Sequence, residues 1–212
     1  MHIPDGILPA GACLAGYATA AAASAASLAV ISRRPDPHRA IPRASIFTAA
    51  FFVASWIHVP IPPTSVHLLL NGLLGVVLGP FAFLAIGIGL FFQAVMFQHG
   101  GLTTLGANAT IMGVPAVLMG AMFRSAMPLW KRSRAWAAAL GFAAGAGGIA
   151  LAALAFSLLL VSVVPPELDP SLRNAGVALL VAGHLPLALV EGLLTAAVVL
   201  FFRQVQPELL ES

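Results

Sequence analysis

The chain has 212 residues, of which 60% are hydrophobic and only 8% are charged, whereas about a quarter of the residues of a soluble domain are charged. This composition excludes a soluble globular protein and indicates an integral membrane protein. The formal net charge of +3 does not indicate nucleic-acid binding, because the ten lysines and arginines are spread over short connections between apolar runs. The single cysteine, Cys13, lies inside the first apolar run and excludes a disulfide framework.

Apolar segments separated by turns or charged residues follow one another along the chain. They predict membrane spans at residues 8–31, 45–59, 68–78, 81–97, 109–123, 135–164 and 175–202. The third segment is short and ends at Gly79-Pro80, so residues 68–97 form either two full spans or a re-entrant pair. We therefore predict an all-α, polytopic membrane helix bundle of about seven transmembrane helices, folded as a single domain over residues 1–212.

The basic residues indicate the orientation of this bundle. Of the ten lysines and arginines, Arg173 alone falls on one side of the predicted spans, and the remaining nine fall on the other: Arg33, Arg34, Arg39, Arg43, Arg124, Lys131, Arg132, Arg134 and Arg203. Cytoplasmic loops carry the excess of positive charge. The amino terminus is therefore predicted outside and the carboxyl terminus in the cytoplasm.

The amino end, residues 1–7, has the chemistry of a metal chelate. A free amine on Met1, the backbone nitrogen of His2 and the His2 Nδ1 atom can bind one metal with three nitrogens nearly in a plane, which leaves the fourth corner open for another imidazole. Planar nitrogen coordination suits Ni(II) and Cu(II), and Co(II) is accommodated. A Met-His start is by itself typical of a frayed end. The site is favoured because His67 is predicted on the same outer side.

Four blocks of sequence carry a family resemblance. The first is Met1 to Gly6 (MHIPDG), and the third is His99 to Asn108 (HGGLTTLGAN). The second combines Ser65 to Leu68 (SVHL), Gly72 to Gly75 (GLLG) and Leu78 to Pro80 (LGP), and the fourth combines His184 to Pro186 (HLP), Glu191-Gly192 and Thr195. Together they resemble the M components, the substrate-specificity subunits of cobalt and nickel energy-coupling-factor transporters. A departure is Ile111, where an asparagine is expected and where an apolar residue is predicted to weaken a hydrogen bond around the site.

The resemblance implies a metal-binding role without catalysis. One divalent ion, Co²⁺ or Ni²⁺, would be held as substrate by the amine and main-chain nitrogen of Met1-His2, the His2 imidazole and the His67 imidazole, with no organic cofactor. Implied partners are a transmembrane coupling subunit, cytoplasmic ATPases and a small accessory membrane subunit, in the lipid of a bacterial inner membrane. The chain has no phosphate-binding loop, so ATP hydrolysis is assigned to the partners. Cobalt is slightly favoured, because no fused accessory segment follows the seventh span.

Three polar residues are candidates to surround the ligands. Asn71 is one turn after His67 and would orient its imidazole or make an interhelical hydrogen bond. Asn108 would bind the backbone of the amino-terminal segment or cap the fifth helix, and capping is slightly favoured. His99 is a less favoured ligand candidate. Glu191, with His184 on the same helical face, is interpreted as a structural clasp between helices.

Small residues recur every four positions on the first helix. Ala15, Thr19 and Ala23 form a ridge that another helix can approach closely. Internal packing and docking of the coupling subunit are both open, and the resemblance implies docking.

Two other classes of function remain open from the sequence. A membrane metalloenzyme would need a general base beside an open metal position, for which Glu167 and Asp169 are the outer-loop candidates. A structural membrane subunit would make His2 dispensable.

Overall fold

The computed structural model describes residues 2–61, 64–163 and 170–211, and most of them are helical. The α-helices are α1 (Ala10–Ile31), α2 (Ile41–Ala54), α3 (Asn71–Leu78), α4 (Phe81–Phe97), α5 (Leu105–Ser125), α6 (Met127–Arg132), α7 (Arg134–Val163) and α8 (Pro170–Val205). Short 3₁₀ helices cover Pro37–Ala40 and Pro207–Leu210. Within the described residues, the departure from an all-α fold is an antiparallel hairpin of β1 (His58–Ile61) and β2 (Thr64–His67), in which His58 pairs with His67.

The prediction of a helical, polytopic membrane protein is confirmed. In the described part of the chain, four helical stretches are long and apolar enough to cross a membrane: Ala10–Ile31, Leu105–Ser125, Arg134–Val163 and Ala178–Val205. The other predicted spans correspond to shorter helices, with 14 residues in α2, 8 in α3 and 17 in α4. At 1.5 Å per residue, α3 is about 12 Å long, which is less than half of the roughly 30 Å hydrocarbon layer. It cannot cross alone.

The short helix α3 lies in the middle of the bundle, and every one of its residues is buried. Glycines allow this position because they let helix backbones touch. A side chain at Gly75 would collide with the carbonyl of Ala116 on α5, and one at Gly72 would collide with the carbonyl of Ala144 on α7. Helix α3 is therefore held between α5 and α7 by backbone contact, as small-residue interfaces in membranes are.

A carboxylate from another helix holds the start of α3. Oε1 of Glu191, on α8, accepts hydrogen bonds from the backbone N–H groups of Leu69 and Leu70. Leu70 has the left-handed backbone conformation, with φ of 51°, so the chain turns sharply just before α3 begins. Glu191 is fully buried and clasps α8 to this turn, as predicted. The described bond of His184 goes to the Leu180 carbonyl within α8 instead.

Basic residues gather at the end of the bundle where the carboxyl terminus lies. Lys131 forms a 2.7 Å ion pair with Glu211, and Arg203 donates to the Lys131 carbonyl at 3.1 Å. Arg39 and Arg43, after α1, line a cavity that the last residues of α8 and the following 3₁₀ helix also line. Since α1 begins beside the N-terminal segment and ends near these residues, the basic cluster and the amino end lie at opposite ends of α1.

Candidate metal centre

Residues 2–9, here called the N-terminal segment, are anchored by apolar side chains. Ile3 is 1% exposed and belongs to a small buried cluster with Leu8, Ala107, Ile111 and Ala152. Burying an isoleucine side chain contributes about 1.5–3 kcal/mol. Ile111, predicted to weaken the surroundings of the site, therefore has a positive function in this chain, because it contributes to the apolar floor beneath the segment.

Polar side chains of α5 bind the backbone of the same segment. The Asn108 amide accepts from the Ile3 N–H at 2.9 Å and donates to the Ile3 carbonyl at 3.0 Å. Thr104 also donates to that carbonyl, at 2.6 Å. Helix α5 has no side-chain cap at its start, so the favoured prediction that Asn108 caps it is wrong, and the alternative, binding the amino-terminal backbone, is correct. The reason is that Asn108 lies inside the first turn of α5, facing Ile3.

Asp5 fixes the segment to the loop before α5. Its carboxylate accepts from the backbone N–H of Leu102 at 3.1 Å and of Thr103 at 2.8 Å, and from the Thr103 hydroxyl at 2.5 Å. The bond from the Thr103 side chain is the main reason that the pKa of Asp5 lies below its ordinary value. Asp5 is therefore a charged acceptor at neutral pH.

His67 ends strand β2 and points its Nε2 atom at the N-terminal segment. The side chain is 5% exposed, and its Nδ1 atom lies 3.1 Å from the Leu68 carbonyl. A carbonyl oxygen only accepts hydrogen bonds, so Nδ1 carries the ring proton that donates to Leu68. In this tautomer of the neutral ring, the lone pair that can bind a metal is on Nε2.

The structure brings His2 and His67 together as predicted. The His2 Nδ1 atom lies 3.0 Å from His67 Nε2. Two nitrogens that bind one metal at about 2.0–2.1 Å and at right angles are roughly 2.8–3.0 Å apart. The two imidazoles thus have the spacing of neighbouring ligands in a planar set. Burial is the main cause that lowers the pKa of His2 well below 6.5, which keeps its imidazole neutral, the form that binds metals.

His99 joins the same cluster. The ligand atoms of His2, His67 and His99 all lie within 4.8 Å of one another. The His99 ring packs against the His2 ring with centroids 4.2 Å apart and planes tilted by 56°. Its position beside the pair is compatible both with shielding the site and with supplying a further nitrogen.

Two residues that the sequence analysis missed hold His2. The Gln93 Oε1 atom lies 2.9 Å from His2 Nε2, and Gln93 Nε2 donates to the Ser55 hydroxyl at 2.9 Å. Both side chains are buried, on α4 and at the end of α2. Gln93 is the only strongly polar side chain in segment 81–97, and such isolation in an apolar run is the signal by which it was recognisable.

Other predicted residues lie elsewhere or outside the described part. Met1, with its amine, and Glu167 and Asp169 lie outside the described residues. The Asn71 amide nitrogen donates to the carbonyls of Gly148, at 3.1 Å, and Met112, at 3.5 Å, and its Oδ1 atom accepts from the Gly72 N–H at 2.9 Å. The two bonds of the amide nitrogen correspond to the interhelical alternative, because they join α3 to α5 and α7.

The predicted ridge of small residues on α1 (Ala15, Thr19 and Ala23) is exposed at its first two residues and half-buried at the third. Ala15 and Thr19 are exposed and line an apolar groove of about 600 Å³ between α1, α5 and α7. Thr19 bonds to the Ala15 carbonyl and lies 3.1 Å from the Thr110 hydroxyl. Ala23 is half-buried and packs against the main core.

Residues 2–209 match the family described as the cobalt uptake substrate-specific transmembrane region. The chain belongs to this family. Among curated relatives, a Haemophilus influenzae protein called a putative metal transport protein is 33% identical over 160 residues, covering 74% of each chain. The cobalt transport protein CbiM of Sorangium cellulosum is 35% identical, over 74% of this chain and 70% of the relative.

A relative with a different metal in its name also matches. The putative fused nickel transport protein NikMN of Archaeoglobus fulgidus is 36% identical over 75% of this chain, which spans 52% of that longer protein. A solved structure described as a transition metal transporter superposes with a TM-score of 0.77 at 25% identity, over 97% of this chain and 93% of that one. A second solved structure, described as a truncated transition metal transporter, superposes with a TM-score of 0.76 at 24% identity, over 97% of this chain and 99% of that one, and shows the shared fold. The resemblance to the cobalt uptake family is thus confirmed over nearly the whole chain.

Proposed function

We propose that this chain is the metal-capturing membrane subunit of an ATP-driven energy-coupling-factor importer, and that it takes up Co²⁺ in preference to Ni²⁺. The observation that carries the proposal is the 3.0 Å separation between His2 Nδ1 and His67 Nε2. These atoms come from residues 65 positions apart in the sequence, on two segments fixed independently, one by Asn108 and one by Glu191.

The proposed ligand set has four nitrogens. His2 Nδ1 and His67 Nε2 occupy neighbouring corners, and the main-chain nitrogen of His2 and the amine of Met1 complete the plane. The bonds from Asn108 and Thr104 to Ile3 support this arrangement, since they hold the backbone that follows His2. A rigid planar set disfavours Zn²⁺, which prefers a tetrahedron. His99 is proposed as a neighbour that shields the ion.

The choice of cobalt follows from the family and from its members' names. The family description refers to cobalt uptake, and the Sorangium relative is called a cobalt transporter. The relative named for nickel is a fusion with a further part. The four nitrogens suit both ions, so cobalt is favoured slightly and nickel is the second candidate for the same site.

We place this site in a single-domain, polytopic protein of the bacterial inner membrane, with the amino end outside and the carboxyl end in the cytoplasm. Segregation of the basic cluster from the N-terminal segment supports this orientation. Energy is assigned to two cytoplasmic ATPases acting through a transmembrane coupling subunit, and a small accessory membrane subunit completes the importer. The fused relative supports the accessory subunit. The exposed Ala15 and Thr19, with Ala23 beside them, are the proposed docking surface for the coupling subunit.

Metal content and titration of the purified chain test the proposal. Wild-type protein should bind one Co²⁺ or Ni²⁺, whereas His2→Ala and His67→Ala should each lose affinity by more than the roughly 10–100-fold typical of residues that only support a ligand. His99→Ala should lose less than either. His38→Ala is the matched control, because His38 is an exposed histidine in the 3₁₀ helix after α1. Full binding by either His2→Ala or His67→Ala would contradict the proposal.

A one-residue extension before Met1 tests the amine separately. It leaves every side chain unchanged and converts the amine of Met1 into an amide. The extended protein should lose metal binding while keeping its fold. Unchanged binding would remove the amine from the ligand set and leave the two imidazoles in place.

A further inference from the structure

The ring proton of His2 has two competing acceptors. A neutral imidazole carries one proton, either on Nδ1 or on Nε2. The Nδ1 atom faces His67 Nε2 at 3.0 Å, and the Nε2 atom faces Gln93 Oε1 at 2.9 Å. Because the His67 ring donates from Nδ1 to the Leu68 carbonyl, its Nε2 lone pair would accept a proton from His2 readily. With the proton on Nδ1, His2 and His67 would bond to each other, and neither nitrogen would be available to a metal.

The direction of the Gln93 amide decides this competition. Ser55 donates its hydroxyl proton to the Phe52 carbonyl at 2.7 Å, so the Ser55 oxygen is free to accept from the Gln93 NH₂ group at 2.9 Å. The NH₂ group therefore points at Ser55, and the carbonyl oxygen of Gln93 points at His2. A reversed amide would present donors to His2 Nε2 and would drive the ring proton onto Nδ1.

We propose that Gln93 and Ser55 are positioning residues that hold the ring proton of His2 on Nε2 and so keep the Nδ1 lone pair available for the incoming metal ion. The inference rests on the proposed function, since it concerns how the same site is kept ready. Gln93 is 0% and Ser55 3% exposed, so water does not compete for these bonds. The relay runs in one direction, from His2 through Gln93 and Ser55 to the backbone of α2.

The relay also explains why a glutamine lies in an otherwise apolar segment of α4. A glutamine amide offers one acceptor and two donors in fixed geometry, which is what a link between an imidazole N–H and a hydroxyl oxygen requires. Outer partners of this kind fix the ring orientation and tautomer of metal-binding histidines, and their loss costs about 10–100-fold in affinity.

The experiment measures the His2 tautomer directly in metal-free, ¹⁵N-histidine-labelled protein, because protonated and unprotonated imidazole nitrogens have different ¹⁵N chemical shifts. Gln93→Met removes the acceptor at nearly constant length, and Ser55→Ala removes the group that orients the amide. In wild type the proton should be on Nε2. It should move to Nδ1 in Gln93→Met and be divided between the two nitrogens in Ser55→Ala. Co²⁺ affinity should fall about 10-fold or more in Gln93→Met.

Two controls separate positioning from a general loss of structure. Gln93→Glu keeps an acceptor toward Nε2 and should keep the wild-type tautomer. Ser157→Ala removes a buried serine whose described bond goes to its own helix, at the Ala153 carbonyl, and should change neither tautomer nor affinity. A proton that stays on Nε2 in both Gln93→Met and Ser55→Ala, with wild-type affinity, would overturn the inference while leaving metal capture intact. Tautomer control in a wild-type protein that binds no metal would instead overturn the proposed function.

Discussion

Asn108 binds both backbone polar groups of Ile3 with one side chain. The amide oxygen accepts a hydrogen bond from the Ile3 N–H at 2.9 Å, and the amide nitrogen donates one to the Ile3 carbonyl at 3.0 Å. This is the pairing that a neighbouring β-strand would provide, supplied here by a residue on α5. Because Ile3 follows His2 directly, this pair of bonds fixes where the His2 backbone lies.

Replacing Asn108 should therefore weaken metal binding without touching a ligand. In Asn108→Ala, the buried N–H and carbonyl of Ile3 lose this partner, at a cost of about 1–3 kcal/mol for a donor left unsatisfied. Asn108→Asp keeps the acceptor for the N–H but sets a carboxylate against the Ile3 carbonyl, so it should be at least as harmful. Titration with Co²⁺ should give a larger dissociation constant in both variants than in the wild-type protein. Wild-type affinity in Asn108→Ala would show that Ile3 and the apolar cluster suffice to dock the segment.

Gly101 leaves room for the N-terminal segment, and Gly101→Ala tests that contact. A Cβ atom at this position would lie 2.5 Å from the backbone nitrogen of Asp5 and would collide with the Asp5 carboxylate. The substitution should displace Asp5 from Leu102 and Thr103, raise the dissociation rate of the metal and leave the bundle folded. Gly87→Ala on α4 is the control, since nothing lies within 4 Å of its added methyl group. Equal metal dissociation rates in the two variants would contradict a tightly packed segment.

The contact between His2 and His67 could be predicted from the sequence. The charge distribution predicted both residues on one side of the membrane, and the family resemblance implied both as ligands of one metal. The partners of His2 could not be predicted. Gln93 is surrounded by apolar residues in α4, and Ser55 follows the apolar last turns of α2, so no polar face indicates which way either side chain points. Their contact joins residues 38 positions apart and depends on how α2 and α4 pack together.

Asn108 and α3 are two further features that depend on contacts between distant parts of the chain. Asn108 lies where a cap is expected, but its partner is Ile3, 105 residues away, and a local pattern contains no information on such a contact. The apolar run of residues 68–78 has the composition of a membrane segment, yet its first residues form the turn held by Glu191. The high hydropathy of this run correctly indicates that it is buried, since α3 is wholly buried. Hydropathy does not distinguish a segment buried inside the protein from one buried in lipid.

Acid should release the N-terminal segment of the metal-free protein in two steps. The docked state holds His2 with a pKa well below 6.5, chiefly because the ring is buried, so it binds fewer protons than the undocked state. Docking is then fully stable above pH 6.5 and weakens as pH falls below that value. The lowered pKa of Asp5, caused mainly by the Thr103 hydroxyl, acts in the same direction at more acidic pH.

Hydrogen-exchange protection of the Ile3, Leu102 and Thr103 amides measures this release. Protection should fall first below the ordinary histidine range and again in the aspartate range. His2→Gln should abolish the first step, and Asp5→Asn should weaken docking at neutral pH and abolish the second. Protection that does not change between pH 7.5 and 5 in the wild-type protein would contradict the contribution assigned to His2.

Glu191 should be required for the position of His67, although it does not contact the metal site. In Glu191→Ala, the buried N–H groups of Leu69 and Leu70 lose their acceptor. Each buried donor left without a hydrogen bond lowers the stability of the fold by about 1–3 kcal/mol. Glu191→Gln keeps an acceptor oxygen and should lose less. The turn that these bonds fix begins two residues after His67, so metal affinity should fall together with the unfolding midpoint.

Thr195→Val is a matched control one turn along α8, because the buried Thr195 hydroxyl has no hydrogen-bond partner among the described residues. Its removal should be neutral or stabilising, and equal loss of stability in Thr195→Val and Glu191→Ala would show that the clasp to α3 is not what Glu191 contributes.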